Sequence, residues 1–292
     1  MIDQNGMAGE LQIDRPSTKQ IALGAPRMTV IHDHFQSDGI EIAYRVDRPG
    51  EGEHQGITIP VLLIHGFVSN GETNWVGPSW TTTLVKAGYE TICIDNRGHG
   101  KSQKLYDPER YSAPLMAKDA FRLLDHLGVE QAYVMGYSMG ARITAFMLNQ
   151  NEPRIKAAIF AGMGINMVRG LGGSAPIAEA FEAARAEDVE DPTARSFRAF
   201  AKMTGGDLKA LAACLRGPRL KVSKDMLEKI TTPTLIAVGT IDDVAGSAQE
   251  LSALIPHSKI LPIPDRDHMK SVGDPVYKKG VLAFLRENED NA

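Results

Sequence analysis

Three side chains suited to nucleophilic catalysis occur along the chain in the order Ser138, Asp242 and His268. A serine hydroxyl is a weak nucleophile near neutral pH, so it needs a base that takes its proton and an acid that orients the base. Histidine and aspartate are the residues that commonly fill these two roles. The sequence therefore predicts that Ser138 is a nucleophile, that His268 is its base, and that Asp242 is the orienting acid.

Ser138 is the central residue of Gly136-Tyr137-Ser138-Met139-Gly140, between an apolar strand pattern at 131–135 and a helical pattern at 141–148. At such a strand-to-helix turn a serine has a strained backbone and an exposed hydroxyl. The flanking glycines leave room for neighbouring backbone. Free N–H groups at the start of the following helix favour developing negative charge. The alternative is a glycine-rich turn with an incidental serine, and the flanking strand and helix patterns disfavour it.

Strand and helix patterns alternate along most of the chain. The predicted strands are an initial hairpin, Thr29–Phe35 with Ile40–Val46, and then Pro60–Ile64, Glu90–Asp95, Gln131–Met135, Ile155–Ala161, Thr234–Val238 and Lys259–Ile263. Repeated strand–helix units imply an α/β fold with a doubly wound, mostly parallel sheet. Ligands bind beyond the carboxyl ends of such strands. His65, Ser138, Asp242 and His268 all follow predicted strands, so we expect them to meet at one edge of the sheet.

The alternation stops between Gly170 and Leu220, where only helical patterns occur. We therefore expect a helical insertion at 165–220 within a core domain formed by residues 29–164 and 221–292. Residues 1–28 are polar and aperiodic, and we expect a tail or an arm there. The segment Val68–Asn74 is predicted to be a polar loop.

Bulk properties exclude several classes of partner. The net charge is −4 and no long basic run occurs, so we expect no nucleic-acid partner. No run approaches the roughly 20 apolar residues that span a membrane, and the N-terminus lacks a signal-peptide pattern. The two cysteines, Cys93 and Cys214, are expected to be buried free thiols. Together these features predict a cytoplasmic protein without membrane insertion.

Three patterns resemble metal or cofactor sites without meeting their requirements. His32 and His34 share one strand face but have no further ligands at metal-site spacing. Gly100-Lys101-Ser102 lacks the glycine that a P-loop needs five residues earlier, where Asp95 stands. The stretch Gly170–Ala175 does not directly follow a strand, as a dinucleotide fingerprint does. The sequence therefore predicts neither a metal nor a cofactor.

From Thr29 to its C-terminus the chain resembles the α/β-hydrolase superfamily, in particular the capped branch of serine esterases and hydrolases. The segments that carry the resemblance are His65-Gly66-Phe67, Asp95-Asn96-Arg97-Gly98-His99-Gly100-Lys101-Ser102, the pentapeptide around Ser138, Gly239-Thr240-Ile241-Asp242, and Asp267-His268. The resemblance implies an eight-stranded sheet and a cap formed by the insertion. It also implies an acyl-enzyme on Ser138, and an oxyanion hole made by the backbone N–H groups of Phe67 and Met139.

The resemblance also separates competing residues. It places the acid three residues after Gly239, which favours Asp242 over Asp243. His257 precedes a predicted strand and so lies at the wrong end of the sheet to replace His268 as the base. His65 is expected to shape the turn that presents the Phe67 amide, with a direct role in proton transfer as the alternative. His99 is expected to be structural. Ala141 stands where many relatives have glycine, and it is small enough to keep the close packing.

Residue types narrow the expected reaction to cleavage of a small, largely apolar acyl substrate. Aspartate is the nucleophile in haloalkane dehalogenases and epoxide hydrolases of this fold, so Ser138 argues against both. Esters, lactones, C–C bonds and perhydrolysis stay open, as does a member of the fold that only binds a ligand. The residues expected to line an apolar pocket with the cap are Met163, Ile165 and Met167. Trp75 and Trp80 either join them or belong to the plain core, and we leave them out of the predicted site. The candidates for binding a carboxylate in C–C hydrolysis are Arg169, Arg195 and Arg198.

Overall fold

The computed structural model describes residues 28–50, 59–150, 152–170 and 174–289. The predictions on the N-terminal tail, on the middle of the glycine-rich stretch at 171–173 and on the last three residues lie outside the described residues. Within the described ranges, no helix has both the length and the apolar character that a membrane span needs.

The strands form a single eight-stranded sheet in the order β1-β2-β4-β3-β5-β6-β7-β8. They are β1 (Thr29–Ser37), β2 (Ile40–Arg48), β3 (Val61–Ile64), β4 (Thr91–Ile94), β5 (Ala132–Tyr137), β6 (Ile155–Ala161), β7 (Thr234–Gly239) and β8 (Ser258–Ile263). The β1–β2 and β2–β4 pairs are antiparallel, and all the other pairs are parallel. The predicted α/β class and its mostly parallel sheet are confirmed.

The first two strands form the predicted hairpin. Asp38 and Gly39 connect them with φ values of 55° and 70°, the left-handed conformation that a tight hairpin turn needs. Asn, Asp and Gly adopt this conformation at the lowest energetic cost.

The α-helices of the described residues are α1 (Trp80–Lys86), α2 (Ala113–His126), α3 (Met139–Leu148), α4 (Asn166–Arg169), α5 (Ser174–Glu182), α6 (Pro192–Met203), α7 (Leu208–Arg216), α8 (Lys224–Glu228), α9 (Ala248–Ser252) and α10 (Pro275–Glu287). Strand β3 shows why the sheet is covered on both faces. Leu62 and Ile64 pack with residues of α2 and α3, whereas Val61 and Leu63 pack with residues of α1 and α10. Since alternate side chains point to opposite faces, helices must cover both.

Two segments differ from their predictions. The loop expected at Val68–Asn74 runs into a π-helical turn at Glu72–Val76. The Asn70 side chain accepts a hydrogen bond from the Thr73 amide at 2.8 Å and so begins this turn. The sequence pattern predicts a helix over Ala175–Ala186, but the helix formed there, α5, ends at Glu182. Beyond it the chain turns back, because Val189 packs in a small apolar cluster with Ala180.

Helices α5–α7 form a separate apolar cluster on the sheet edge where β3 ends. Phe181, Leu211 and Leu215 pack there with Val68, and Phe67 borders the same cluster. Helix α4 does not belong to this group, because Met167 is buried in the core beside β6 and β7. The chain between β6 and β7 therefore first packs on the core and then crosses above the carboxyl ends of the strands.

Candidate active site

The turn between β5 and α3 has the backbone strain that its sequence predicts. Ser138 has φ 55° and ψ −109°, a conformation that non-glycine residues rarely adopt. A Cβ on Gly136 would lie 2.2 Å from the Gly140 carbonyl oxygen, and one on Gly140 would lie 2.0 Å from the Ile64 carbonyl oxygen. Only glycine fits at either position, so the sequence around Ser138 produces the tight turn.

Ser138, His268 and Asp242 are brought together in one hydrogen-bonded chain. The Ser138 Oγ lies 3.1 Å from Nε2 of His268, and Nδ1 of His268 lies 2.9 Å from Oδ2 of Asp242. A carboxylate only accepts hydrogen bonds, so Nδ1–H donates to Asp242, and in the neutral ring Nε2 accepts from the serine hydroxyl. This is the tautomer that a general base at Nε2 requires.

Backbone amides hold the Asp242 carboxylate in place. Its Oδ1 accepts hydrogen bonds from the amides of Val244 at 3.0 Å and Ala245 at 2.9 Å. The carboxylate is buried, and these donors replace the water that its second oxygen would otherwise bind. Asp243 is exposed instead. Of the two neighbouring aspartates, only Asp242 contacts His268 in the described residues.

Tyr137 supports His268 from the residue next to the serine. Its hydroxyl donates a hydrogen bond to the backbone carbonyl of His268, and the two rings lie 5.4 Å apart. Gly162, with φ 58°, makes room for the tyrosine ring, since a Cβ there would lie 2.7 Å from the ring. Sequence reasoning missed the role of Tyr137, because the motif accepts any residue at the position before the serine.

The loop after β3 lies directly against Ser138. A Cβ on Gly66 would be 3.4 Å from the Ser138 Cβ, and the Gly66 amide donates to Oδ1 of Asn74 at 3.0 Å. Among the described residues, the Phe67 amide makes no backbone hydrogen bond. Met139 is the first residue of α3, so its amide has no acceptor within the helix. Both residues line the cavity in front of Ser138.

His65 and His99 lie behind this loop and not in the hydrogen-bonded chain. Nε2 of His65 accepts from the Asn96 amide at 2.9 Å, and Nδ1 donates to the Gly66 carbonyl at 2.7 Å. Burial lowers the pKa of His65 to about 4. Burial, together with the neighbouring His65, lowers the pKa of His99 to about 3. Both rings are therefore neutral at physiological pH and have a structural role.

In the part of the chain that the structure describes, the histidines outside this site are exposed. His257 is in the turn before β8, and His32 and His34 lie on the edge strand β1. Across the ranges that the structure describes, no group of three or more His, Cys, Asp or Glu side chains is placed to hold a metal ion.

A cavity of about 620 Å³ opens in front of Ser138 and His268. Its apolar lining comes from the core, from the loops and from α5–α7, and includes Phe67, Met116, Met139, Met163, Ile177, Phe197, Phe200, Leu215 and Val272. Of the predicted apolar lining residues, only Met163 is among them. Ile165 and Met167 are buried outside the cavity, and Trp75 and Trp80 belong to the core under α1 and α10.

The three arginines that were predicted as candidates for binding a carboxylate do not have the expected placement. Arg169 lines the cavity but pairs with Glu250 at 2.5 Å. Arg195 and Arg198 donate to the backbone carbonyls of Val189 and Ala180 and do not line the cavity. Cys93 is buried as predicted, whereas Cys214 is only half-buried and lines the cavity.

Known proteins share this architecture. Residues 59–192 match the family model described as alpha/beta hydrolase fold. The chain is 30% identical over 146 residues to epoxide hydrolase B of Mycobacterium tuberculosis, an alignment that covers 47% of this chain and 38% of the relative. It is 28% identical over 130 residues to a non-heme haloperoxidase of Rhodococcus erythropolis, covering 43% of this chain and 42% of the relative.

The alignments thus span about two fifths of the length of these curated relatives. The crystal structure of a bromoperoxidase from Bacillus anthracis superposes with a TM-score of 0.69 at 23% identity, over 88% of this chain and all of the other. That likeness shows the fold over nearly the whole chain. The sheet order, the strained serine turn and the match of residues 59–192 to the family model agree with one another: the chain has the α/β-hydrolase fold.

Proposed function

We propose that the protein is a serine hydrolase that cleaves a small, largely apolar carboxylic ester or a related acyl substrate. The observation that carries this proposal is the chain of hydrogen bonds from Ser138 through His268 to Asp242, at 3.1 Å and 2.9 Å. Ser138 and His268 of this hydrogen-bonded chain line a cavity that is large enough for a small molecule. A nucleophile, a base in the required tautomer and an orienting acid are the parts that acyl transfer needs.

In the first half of the reaction, the Ser138 Oγ attacks the carbonyl carbon while Nε2 of His268 takes its proton. The negative charge on the carbonyl oxygen is stabilised by the amides of Met139 and Phe67. Each such donor contributes about 3 kcal/mol to the transition state. Collapse of the tetrahedral intermediate transfers the proton from His268 to the leaving alcohol and leaves the acyl group on Ser138.

In the second half, His268 takes a proton from water, which attacks the acyl-enzyme. The acid is released and the proton returns to Ser138. Asp242, held by two backbone amides, keeps the imidazole ring oriented and stabilises its cationic form in both halves. The Tyr137 hydroxyl holds the backbone of His268 at the same position throughout.

We assign the role of a cap to the insertion at 165–220, apart from its first helix, α4, which packs on the core of residues 29–164 and 221–292. Helices α5–α7 pack on the loop that carries Phe67, and their side chains Ile177, Phe197 and Leu215 face the cavity. An apolar roof excludes water and selects a small acyl group by size.

The chain is similar to an epoxide hydrolase, but we do not propose that it opens epoxides. If the Ser138 oxygen opened an epoxide, the product would be an ether, which His268 and water cannot hydrolyse. Opening by a carboxylate produces an ester, which can be hydrolysed, but position 138 holds serine. The serine therefore favours acyl substrates.

A second candidate reaction is perhydrolysis, which the similarity to a non-heme haloperoxidase favours. Here hydrogen peroxide replaces water as the nucleophile on the acyl-enzyme, His268 moves its proton to Ser138, and a peracid leaves. Comparing peracid with acid formation from one ester at rising peroxide concentration measures the balance between the two reactions.

A fluorophosphonate probe tests the proposed function. We expect it to label the folded wild-type chain at Ser138 and not to label Ser138→Ala, because phosphonylation needs an activated serine. Turnover of p-nitrophenyl esters of rising chain length, beside lactones, would define the acyl group. The absence of labelling on folded protein would instead favour a ligand-binding role without catalysis.

A further inference from the structure

The cavity in front of Ser138 is lined by charges of one sign. Its charged lining residues, apart from the candidate base His268, are Arg142, Arg169, Arg219 and Lys221. Among the described residues, no aspartate or glutamate lines it. A cavity with apolar walls and cations of one sign concentrates a positive potential and attracts anions.

Within the described residues, three of these cations have no acidic partner: Arg142, Arg219 and Lys221. Arg169 is paired with Glu250, but Arg142 donates only to the Asn166 carbonyl, at 3.2 Å, within the ranges that the structure describes. Arg219 likewise donates to the Leu215 carbonyl at 3.2 Å. A guanidinium carries five N–H donors, so both groups have donors left for a ligand.

The two guanidinium groups also repel each other. Burial lowers the pKa of Arg142, and the positive charge of Arg219 lowers it further. Arginine stays protonated in spite of such shifts. A half-buried cation next to a second cation is unfavourable unless an anion lies between them.

Arg142 is also close to the reacting atoms. Its amide donates to the Ser138 carbonyl at 3.3 Å, so the two residues are one helical turn apart. Residues four apart lie on the same face of a helix, with Cβ atoms about 6 Å from each other. Arg219, on the exposed segment after α7, lines the same cavity.

We propose that Arg142 and Arg219 bind a carboxylate of the substrate, so that the substrates are half-esters of short dicarboxylic acids. This inference rests on the proposed function, which supplies the ester bond that is cleaved. It adds the class of substrate. A planar carboxylate matches the fork of donors that a guanidinium presents. The apolar walls then contact the methylene chain between the carboxylate and the ester carbonyl.

The first test compares the p-nitrophenyl half-ester of glutaric acid with neutral p-nitrophenyl valerate. We expect the wild type to favour the half-ester in kcat/KM by about tenfold or more. Arg142→Met and Arg219→Gln should each reduce that ratio by about tenfold. Arg185→Gln is the matched control, because Arg185 is exposed, pairs with Asp188 and lies outside the cavity. It should keep the wild-type ratio.

The second test does not need turnover. Isothermal titration calorimetry of Ser138→Ala with glutarate should show binding that Arg142→Gln, added to the same chain, weakens by about tenfold. Thermal unfolding confirms that each variant is folded. Glutarate binding without any ester cleavage would support the anion site and contradict the hydrolase proposal. Neutral ester cleavage with no preference for the half-ester, and with no glutarate binding, would overturn the anion site alone. Tighter binding of inorganic phosphate than of glutarate would overturn the assignment to carboxylates.

Discussion

At the scale of single residues, Ser138 combines strain with exposure. Its backbone, with φ 55° and ψ −109°, costs of order 1–3 kcal/mol. The neighbouring glycines permit this conformation, and the turn presents Oγ to Nε2 of His268. In the proposed function, this strained turn holds the nucleophile in one position before substrate arrives, which lowers the entropy lost in the reaction.

Replacing Asp242 by asparagine tests how the base is oriented. The amide can present an N–H to Nδ1 of His268, which favours the tautomer with its proton on Nε2 and removes the lone pair facing Ser138. We expect kcat for a p-nitrophenyl ester to fall by about 10³–10⁴-fold. Asp243→Asn is the matched control, since Asp243 is exposed and does not contact His268. Equal losses in the two variants would contradict the assignment of the acid.

The three residues of the hydrogen-bonded chain could be predicted because each follows a strand at a recognisable spacing. The contact of Tyr137 with His268 could not, nor could the presence of Arg142 and Arg219 in the lining of one cavity. They depend on which side chains the tertiary fold brings together across the cavity. Arg195 and Arg198 show the same limit, because their positions on α6 do not reveal that they bond to nearby carbonyls.

At the scale of elements, the close contact between α3 and β3 positions the serine turn. Gly140 lies against the Ile64 carbonyl with no room for a methyl group. The loop after β4 is fixed by a buried ion pair, in which Arg97 Nε donates to Asp119 Oδ2 of α2 at 2.7 Å. Rigid elements therefore hold the serine turn and the loop after β4, which lies behind the loop that borders Ser138, as a preorganised site requires.

Substituting Gly140 by alanine should separate α3 from β3. The added Cβ would lie 2.0 Å from the Ile64 carbonyl oxygen, and we expect a loss of about 3 kcal/mol in the free energy of unfolding. Gly77→Ala is the control, since its Cβ would meet the Glu72 carbonyl oxygen at an ordinary 3.4 Å. Urea unfolding measures both variants. Equal stability of the two would show that α3 can shift without loss.

The elements themselves were largely predictable. Apolar runs such as Ile155–Ala161 are strands buried on both faces, and Asp38-Gly39 is a hairpin turn. The π-helical turn at Glu72–Val76 was missed, because the Asn70 side chain begins it and Trp75 is anchored by contacts from distant elements. Local patterns predict segments that bury a regular apolar face, and they fail where a single side chain or a distant contact determines the backbone.

At the scale of the whole molecule, two buried imidazoles make folding sensitive to acid. Burial lowers the pKa of His65 to about 4 and that of His99 to about 3, from an ordinary value of 6.5. Below about pH 6.5 the unfolded chain binds protons that the folded chain excludes. The free energy of unfolding therefore decreases as the pH is lowered, until the pH reaches the pKa of the folded state. The stabilisation is fully present above pH 6.5.

His99→Gln should weaken this acid sensitivity. When the pH is lowered from about 7 to about 4.5, the free energy of unfolding of the wild type should decrease by on the order of 2.5 kcal/mol more than that of the variant. The decrease of each protein is measured from its own value at the higher pH. Urea unfolding at the two pH values measures the difference. His257→Gln removes an exposed histidine and should follow the wild type. An unchanged pH dependence in His99→Gln would show that this ring is protonated in the folded chain.

Formation of a covalent acyl-enzyme on Ser138 is the most direct test of the proposed function. The wild-type chain is mixed with p-nitrophenyl butyrate, and the reaction is quenched in acid within the first turnovers. The intact mass of the protein is then measured by mass spectrometry. We predict a fraction heavier by one butyryl group, located on the peptide that contains Ser138, and no such fraction in Ser138→Ala. Release of p-nitrophenol at equal rates from both proteins, with no adduct in either, would contradict the account.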